Sequence, residues 1–447
     1  MQQRGLILIR RFDPARFLKL LPALLLAAPA AAHAQAREPS AVVIAVPTLA
    51  TSQDVETDAG STWSLANQIA DLITADLDST TRFLLADVDK VRIPSFPEVT
   101  APSYASWRGA GAKLLLSGFV NARSDGRLTI GCYLYDVQSG RELTRKGFAV
   151  TPSEWRRAAH RCADLAYTKV TGNPPPFDSR IAYVAQSGAD RSLVKRLAMM
   201  DFDGASHVYL TTGNSLVLSP SWSPDGKSIA YTSLGDDRLE VRVIDVESKA
   251  DRPLLHGGGD NFGPSFSPDG DWVTLTISVA GNSDVFVVQS NGGIPRRLTT
   301  SPAIDTGASF SPDGRQIAFV SDRSGGPQIY VMNYDGSDQR RVSFGPGDYD
   351  APVWSPDGEW LAFTRVEGTT SRIGVMRANG SQDRIVTNGP RDEQPSWSPD
   401  GARILFQHFD QPTKRPRLSI VPAEGGTARQ LPTPQGASDP AWAERQE

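Results

Sequence analysis

Hydrophobic and polar positions recur with a fixed period in the C-terminal part of the chain. The tetrapeptide Ser-Pro-Asp-Gly occurs five times, at steps of 44, 44, 44 and 43 residues, beginning at Ser223, Ser267, Ser311, Ser355 and Ser398. An aromatic residue precedes each copy, and a short apolar run such as Ile317-Ala318-Phe319 follows it. Pro, Asp and Gly in this order favour a tight β-turn. A repeat of about 40 to 45 residues with four short strands is typical of a propeller blade, so the pattern predicts a β-propeller rather than a β-sandwich.

The number of blades follows from counting two kinds of strand. The Ile-Ala-aromatic type occurs six times, because Ile181-Ala182-Tyr183 precedes the first Ser-Pro-Asp-Gly. The Pro-x-aromatic type also occurs six times, with Ala308 in place of the proline in one copy, and its last copy, Pro440-Ala441-Trp442, stands without the turn near the C-terminus. The simplest ring is a six-bladed propeller over residues 180–447. In this ring the C-terminal strand completes the blade that begins at Arg180 and leaves no open sheet edge.

Residues 35–172 lack this repeat, and their pattern predicts a separate small α/β domain. Apolar positions at strand and helix periods predict a strand at 41–46, a helix at 63–78 and strands at 113–120, 127–136 and 142–150. Thr151-Pro152-Ser153-Glu154 is a capping box that opens a helix running to about Val170. The prolines at 174–176 cannot continue that helix, so residues 173–179 are interpreted as the linker to the propeller.

The N-terminus reads as a secretory signal peptide. Five basic residues precede or border an apolar run at 20–32 that ends in Ala32-His33-Ala34, which predicts cleavage between Ala34 and Gln35. A retained anchor is the alternative, but the run is interrupted by two prolines and is shorter than the roughly 20 residues that span a bilayer. Removing residues 1–34 changes the net charge from −4 to −8. An acidic chain without a Lys/Arg cluster does not favour nucleic-acid binding.

Cys132 and Cys162 are the only cysteines of the chain. In an oxidising compartment they are candidates for one disulfide, and two separate buried thiols are the alternative. Neither belongs to a Cys-x-x-Cys motif, which argues against redox catalysis.

Catalytic motifs are absent from the sequence, whereas one polar pattern repeats with the blades. The chain has neither a His-Glu-x-x-His motif nor a Gly-x-Ser-x-Gly elbow. Polar residues stand directly ahead of the Pro-x-aromatic strands, and we expect them to ring one mouth of the central channel. There they would bind a cation such as calcium, or accept hydrogen bonds from an inserted partner loop. The alternative is that they cap turns between blades. These residues are Asp260, Asn261, Asp305, Thr306, Asp348, Asp350, Asp392, Glu393, Ser438 and Asp439.

The order of these parts resembles the TolB family. The resemblance rests on the signal peptide, the segment Ile-Ala-Asp-Leu-Ile-Thr-Ala-Asp-Leu at 69–77, the helix reaching Lys169-Val170-Thr171-Gly172, the entry strand from Arg180, and the Pro-x-Trp-Ser-Pro-Asp-Gly-like repeats. It implies a non-enzymatic periplasmic protein of the Tol-Pal system that maintains the outer membrane and assists constriction at division. A monomer without a required cofactor is expected, and calcium is the candidate ion for the channel mouth.

The resemblance also implies the protein partners and their sites. The lipoprotein Pal would bind at the propeller mouth, with Asp260, Asn261, Gly263, Thr306 and Gly307 carried over by position, and with Asp305, Asp350, Glu393 and Asp439 added from the polar pattern. The extreme N-terminus of the mature chain would contact TolA through Gln35, Ala36, Arg37 and Glu38. Other envelope proteins are further candidate partners. A calcium-dependent propeller hydrolase of lactonase type is the alternative from another functional class, and a peptidase regulatory propeller would need a separate catalytic chain.

Overall fold

The computed structural model describes residues 41–88, 94–188, 192–235, 238–256, 259–410 and 415–443. These described residues belong to one compact unit. The predicted signal peptide, its cleavage site at Ala34 and Gln35, and the TolA-contact candidates Gln35, Ala36, Arg37 and Glu38 lie outside the described residues. None of the described helices is long and apolar enough to cross a bilayer.

The N-terminal part is a five-stranded sheet whose apolar face packs with two long helices. The sheet order is β4-β1-β5-β6-β7, in which β1 runs parallel to β4 and β5 and the remaining neighbours are antiparallel. Side chains of the sheet and of helices α1 and α3 share one buried cluster. The elements in chain order are β1 Val42–Ala45, β2 Glu56–Thr57, β3 Gly60–Ser61, α1 Thr62–Asp78, β4 Phe83–Leu85, a 3₁₀ turn Phe96–Val99, α2 Tyr104–Gly109, β5 Leu114–Ala122, β6 Leu128–Asp136, β7 Arg141–Val150, a 3₁₀ turn Pro152–Glu154 and α3 Trp155–Thr171.

A capping box at its start and a glycine at its end define the bounds of the long helix α3. The Glu154 carboxylate accepts hydrogen bonds from the Thr151 backbone N–H at 2.9 Å and from the Thr151 hydroxyl at 2.7 Å, which forms the predicted capping box. Gly172 ends the helix with φ of 72°, in the left-handed region that glycine adopts without strain. A disulfide joins Cys162 of α3 to Cys132 of β6, with their Cα atoms 5.8 Å apart, and therefore links helix and sheet inside the core.

The C-terminal part is a six-bladed propeller, which confirms the predicted fold class. The first sheet has the order β10-β9-β8-β31, so the last strand of the chain completes the first blade. The other five sheets each contain four consecutive antiparallel strands. The strands are β8 Arg180–Ser187, β9 Val194–Asp201, β10 Val208–Tyr209, β11 Leu216–Trp222, β12 Ser228–Gly235, β13 Arg238–Asp245, β14 Asp251–Pro253, β15 Asp260–Phe266, β16 Trp272–Val279, β17 Asn282–Gln289, β18 Arg296–Arg297, β19 Asp305–Phe310, β20 Gln316–Ser321, β21 Gln328–Asn333, β22 Arg340–Arg341, β23 Asp348–Trp354, β24 Trp360–Glu367, β25 Thr370–Arg377, β26 Arg384–Ile385, β27 Asp392–Trp397, β28 Arg403–Asp410, β29 Arg415–Pro422, β30 Arg429–Gln430 and β31 Gly436–Trp442.

Each Ser-Pro-Asp-Gly copy forms the same hydrogen-bonded turn between the first two strands of a blade. In one copy the Ser311 hydroxyl donates to the Asp313 carboxylate at 2.6 Å, and the same carboxylate accepts the Arg315 N–H at 3.1 Å. The hydrogen bond from Ser311 is the main cause that lowers the pKa of Asp313. Gly314 takes φ of 69°, a conformation that a residue with a side chain rarely adopts. The recurring tetrapeptide therefore specifies the turn through its side chains as well as its backbone.

The segment 173–179, interpreted from the sequence as a linker, is packed against both parts of the molecule. Phe177 is fully buried in a hydrophobic cluster that extends from α1 and α3 into the first blade. The Asp164 carboxylate accepts the N–H groups of Phe177 and Asp178 at 3.0 and 3.2 Å. Arg157 and Arg161 form ion pairs with Asp178 at 3.1 and 2.6 Å. The connection is thus fixed by hydrogen bonds and apolar packing.

Candidate functional site

The central channel of the propeller forms a cavity with a volume of about 500 Å³. Its wall is formed by the innermost strands of the six blades, namely β11, β15, β19, β23, β27 and β31. Side chains along the wall are mostly small or polar at one end of the lining, where Phe262 is the exception, and aromatic at the other end beside the prolines of the Ser-Pro-Asp-Gly turns. The two mouths of the channel therefore differ in chemistry.

All six inner strands contain a bulge at the same position. Pairing with the second strand of the blade shifts register there in every blade. The bulged residue has φ between 48° and 63° in each case, and these residues are Ser219, Gly263, Gly307, Ala351, Gln394 and Asp439. Left-handed backbone at residues other than glycine is strained, and such strain is concentrated at functional sites. We call these six residues the bulge ring, and all six line the channel.

Five of the nine predicted Pal-binding residues line the channel and four do not. The five are Gly263, Thr306, Gly307, Asp350 and Asp439. Asp260, Asn261, Asp305 and Glu393 are absent from the lining. Strand alternation accounts for Asn261 and Asp305, which lie two residues before the bulge and are buried, whereas the next residues, Phe262 and Thr306, line the channel.

Asp260 and Asn261 bind the neighbouring blade instead of facing the channel. The Asp260 carboxylate accepts the Leu239 N–H at 2.9 Å, and the buried Asn261 carbonyl accepts the Val241 N–H at 2.7 Å, both on β13. For these two residues the alternative of capping between blades describes the structure better than a channel ring.

Asp305 and Glu393 also have partners inside the blades. Asp305 is fully buried and forms an ion pair with Arg323 at 2.9 Å. The Glu393 carboxylate accepts hydrogen bonds from Ser371 at 2.8 Å and Gln407 at 3.0 Å, and it lines a shallow surface hollow. Asp392, a further polar residue of this pattern, is buried and contacts His408 Nδ1 at 2.6 Å.

Asp350 and Asp439 are the ionisable side chains of the described channel lining. Asp350 is exposed to the channel, but desolvation by the surrounding blades raises its pKa, the hydrogen bond from the Ala351 N–H at 2.8 Å opposes the rise, and the Glu393 carboxylate adds to it. Asp439 accepts the Ser219 N–H at 3.3 Å across the seam between the last strand and the next blade. Two carboxylates among hydroxyl groups and exposed backbone suit the recognition of a hydrogen-bonding peptide. This described lining contains no histidine, cysteine or lysine that would act as base or nucleophile beside them.

Three members of the bulge ring were missed by sequence reasoning, which singled out Gly263 and Gly307 but not Ser219, Ala351 or Gln394. Serine, alanine and glutamine give no signal in the sequence that their backbone will adopt a positive φ. The signal that could have found them is position, because each is followed by the proline of its Pro-x-aromatic strand, as Gly263 is followed by Pro264. Aligning the repeats on that proline places all of them in one column.

The comparisons with known proteins agree with this architecture over nearly the whole chain. A family profile described as "TolB beta propeller domain" matches residues 167–446, and a second, "TolB amino-terminal domain", matches residues 36–143. The crystal structure of TolB from Acinetobacter baumannii superposes with a TM-score of 0.76 at 27% identity, covering 91% of this chain and 98% of that chain.

Curated relatives share the same name. "Tol-Pal system protein TolB" of Zymomonas mobilis is 48% identical over 205 residues, 46% of this chain and 45% of that protein. Its namesake in Rhizorhabdus wittichii is 46% identical over 225 residues, 49% of this chain and 51% of that protein. The chain thus spans about half the length of the curated relatives it matches. Because the propeller profile alone covers more than half of the sequence, the chain belongs to the TolB family.

Proposed function

We propose that this chain is a periplasmic component of the Tol-Pal system that binds the lipoprotein Pal at the channel mouth carrying the bulge ring. The family is one of non-enzymatic envelope proteins, and a place in the Tol-Pal system implies protein partners within that system. Through Pal, the protein would help to maintain the outer membrane and assist envelope constriction during division. Contact with TolA through Gln35, Ala36, Arg37 and Glu38 belongs to the same proposal.

The observation that carries the proposal is the repeated strained bulge at one mouth. The same backbone conformation occurs six times around one opening, whereas the residue type varies between blades. The side chains at the bulges are therefore available to contact a partner. The mouth is also open: an added Cβ at Gly263 would meet no atom within 4 Å. A polar, open concave surface with a few convergent hydrogen-bonding groups is the type of site that receives an inserted loop.

Gly263 gives the sharpest test of this site. Gln394 holds the same bulge position with the same backbone conformation, so Gly263→Gln places a side chain that the fold already accepts in another blade. It projects from the wall of the channel and would obstruct an inserted loop. Gly126→Gln is the matched control. Gly126 also has a positive φ, of 80°, and an added Cβ would meet no atom within 4 Å, but it lies in the β5–β6 turn of the N-terminal part rather than in the propeller.

The experiment measures binding of the soluble domain of Pal from the same organism by calorimetry, with and without calcium. We expect wild-type protein and Gly126→Gln to bind alike, and Gly263→Gln to bind at least tenfold more weakly while unfolding at a similar denaturant concentration. Equal binding by Gly263→Gln would move the site away from the mouth. Absence of binding by the wild-type protein in both buffers would overturn the Pal assignment itself. A calcium requirement that Asp350→Asn or Asp439→Asn weakens would support a calcium ion in the channel.

A further inference from the structure

A largely buried cluster of ionisable side chains lies where the N-terminal part meets the first propeller blade. Helix α1 contributes Asp76 and helix α3 contributes His160. The blade contributes Asp201, the last residue of β9, and Asp203 in the turn that follows. His160, Asp201 and Asp203 each offer one ligand atom within 4.8 Å of the others. This cluster is separate from the channel and takes no part in the function proposed above.

His160 is held in one orientation and has an available nitrogen. The side chain is 1% exposed, and its Nδ1 lies 2.8 Å from the Asp76 carboxylate. A carboxylate at Nδ1 keeps the proton on that nitrogen and leaves the lone pair on Nε2, as in the carboxylate–histidine–metal arrangement. Nε2 is buried and has no hydrogen-bond partner among the described residues. A buried nitrogen lone pair beside two carboxylates is unfavourable unless a proton or a metal ion lies between them.

The two carboxylates are positioned by the turn that ends β9. Asp203 Oδ1 accepts the Ala205 N–H at 3.0 Å, which fixes the carboxylate, while its Oδ2 contacts Arg156 Nη2 at 2.6 Å. Asp201 Oδ2 is buried without a hydrogen-bond donor in the described structure, and its nearest cationic atom is Arg156 Nε at 3.6 Å. That Nε also lacks a hydrogen-bond acceptor among the described residues. His160 Nε2, Asp201 Oδ2 and Arg156 Nε are therefore three buried polar atoms of one cluster that lack hydrogen-bond partners among the described residues.

The ion pairs of the cluster leave two of its ligand atoms without a partner. Arg156 pairs with both Asp201 and Asp203, and Arg180 and Arg429 also interact electrostatically with these two carboxylates. His160 Nε2 and Asp201 Oδ2 nevertheless have no hydrogen-bond partner among the described residues. One divalent cation bound by Nε2 and the two carboxylates would give both of these atoms a partner.

We propose that His160, Asp201 and Asp203 bind a divalent transition-metal ion, with Zn²⁺ the ion that fits this donor set best, and that Asp76 orients His160. One imidazole nitrogen with carboxylate oxygens suits zinc, whereas calcium and magnesium take oxygen ligands. Zinc bonds of about 2.0–2.2 Å place tetrahedral ligands roughly 3.3 Å apart, so the ligand atoms must approach one another slightly on binding. Solvent would supply the fourth ligand. The ion would join α3 to the end of β9 and thereby tie the N-terminal part to the propeller.

Arg156 distinguishes this site from an ordinary buried ion-pair network. If the cluster exists only to pair Arg156 with carboxylates, replacing Arg156 weakens the fold and creates no affinity for metal. If the cluster binds metal, Arg156 competes with the ion for Asp203, and Arg156→Gln binds the ion more tightly than the wild-type protein.

The experiment titrates untagged, chelator-treated full-length protein with Zn²⁺ by calorimetry and with Co²⁺ by visible absorption. We expect one ion per chain. Affinity should fall by at least 100-fold in His160→Gln, and by about 10 to 100-fold in Asp76→Asn, which removes the orienting carboxylate. His207→Gln is the matched control: His207 Nε2 is also buried without a hydrogen-bond partner in the described structure, but its Nδ1 contacts the Tyr183 hydroxyl, and it should bind as the wild type does.

Three outcomes would overturn the proposal. The first is failure of the wild-type protein to bind Zn²⁺ or Co²⁺, which would assign the unpaired atoms to a proton or a water molecule. The second is equal binding by His160→Gln, which would place any bound ion elsewhere. The third is weaker binding by Arg156→Gln. Asp203→Asn replaces His160→Gln if that variant does not fold, and the same loss of affinity is expected of it.

Discussion

Trp442 should be one of the most stabilising side chains of the propeller, because it belongs to the strand that closes the ring. The side chain is 6% exposed and packs in the cluster that connects the first blade with α1 and α3. Truncating a buried Trp to Ala removes about 3–5 kcal/mol of stability. The indole N–H donates to the buried Ser179 hydroxyl at 2.8 Å, and losing this bond adds about 1 kcal/mol. We therefore expect Trp442→Ala to lower the free energy of unfolding by about 4–6 kcal/mol.

Two further variants test whether the loss of stability comes from the strand that closes the ring or from removing a tryptophan anywhere in the chain. Trp442→Phe keeps most of the ring contacts and loses the N–H, so it should lose about 1–2 kcal/mol. Trp63→Ala removes a tryptophan whose side chain is 58% exposed and should change stability by less than about 0.5 kcal/mol. Urea unfolding followed by circular dichroism gives all three values. If Trp442→Ala unfolds at the same urea concentration as Trp63→Ala, the C-terminal strand does not hold the ring closed.

Three further predictions concern the core and its charges. Replacing both Cys132 and Cys162 by Ala should lower the free energy of unfolding by about 3–4 kcal/mol for a cross-link spanning 30 residues, and a reductant that leaves the wild-type urea midpoint unchanged would contradict this. Arg323→Ala leaves the fully buried Asp305 without its ion-pair partner and should lower the free energy of unfolding by about 3–5 kcal/mol. Replacing the exposed Arg315 by Ala should lower it by less than about 1 kcal/mol, and equal urea midpoints for the two variants would refute the distinction. Burial raises the pKa of Asp164 from 3.8 to about 7, so the folded state takes up a proton more readily than the unfolded state. The wild type should therefore gain stability relative to Asp164→Asn as pH falls from 7 to 4. Parallel profiles of unfolding free energy against pH would refute this.

Sequence reasoning succeeded where one tetrapeptide or one local motif specifies the structure. Ser-Pro-Asp-Gly carries its own hydrogen bonds, so its spacing predicted the blades and their number. The capping box at Thr151 and Glu154 likewise predicted the start of the last helix of the N-terminal part. These features depend on residues close in sequence, and neighbours in space hardly alter them.

Sequence reasoning failed where the outcome depends on contacts between distant residues. Strand β4 has three residues and pairs in parallel with β1, so its own sequence contains no period to detect. The prolines at 174–176 predicted where the helix ends, but they could not reveal that Phe177 is buried between α3 and the first blade. Asn261 was assigned to the mouth, yet its side chain meets β13, which a pattern along one blade cannot reveal.

Closure of the ring and completion of the mouth depend on the same strand. Strand β31 pairs with β8 to close the first blade, and it also supplies Asp439, the sixth member of the bulge ring. The Asp439 carboxylate accepts the Ser219 N–H on β11, so the closing strand is joined to the next blade at the mouth itself. A partner bound at the complete mouth must favour the closed ring, because a ligand stabilises the state that it binds. Partner binding at the mouth should therefore slow hydrogen exchange in β31 and β8 more than in β7, which lies at the edge of the N-terminal sheet. Uniform protection of these strands would show that the partner binds without sensing closure.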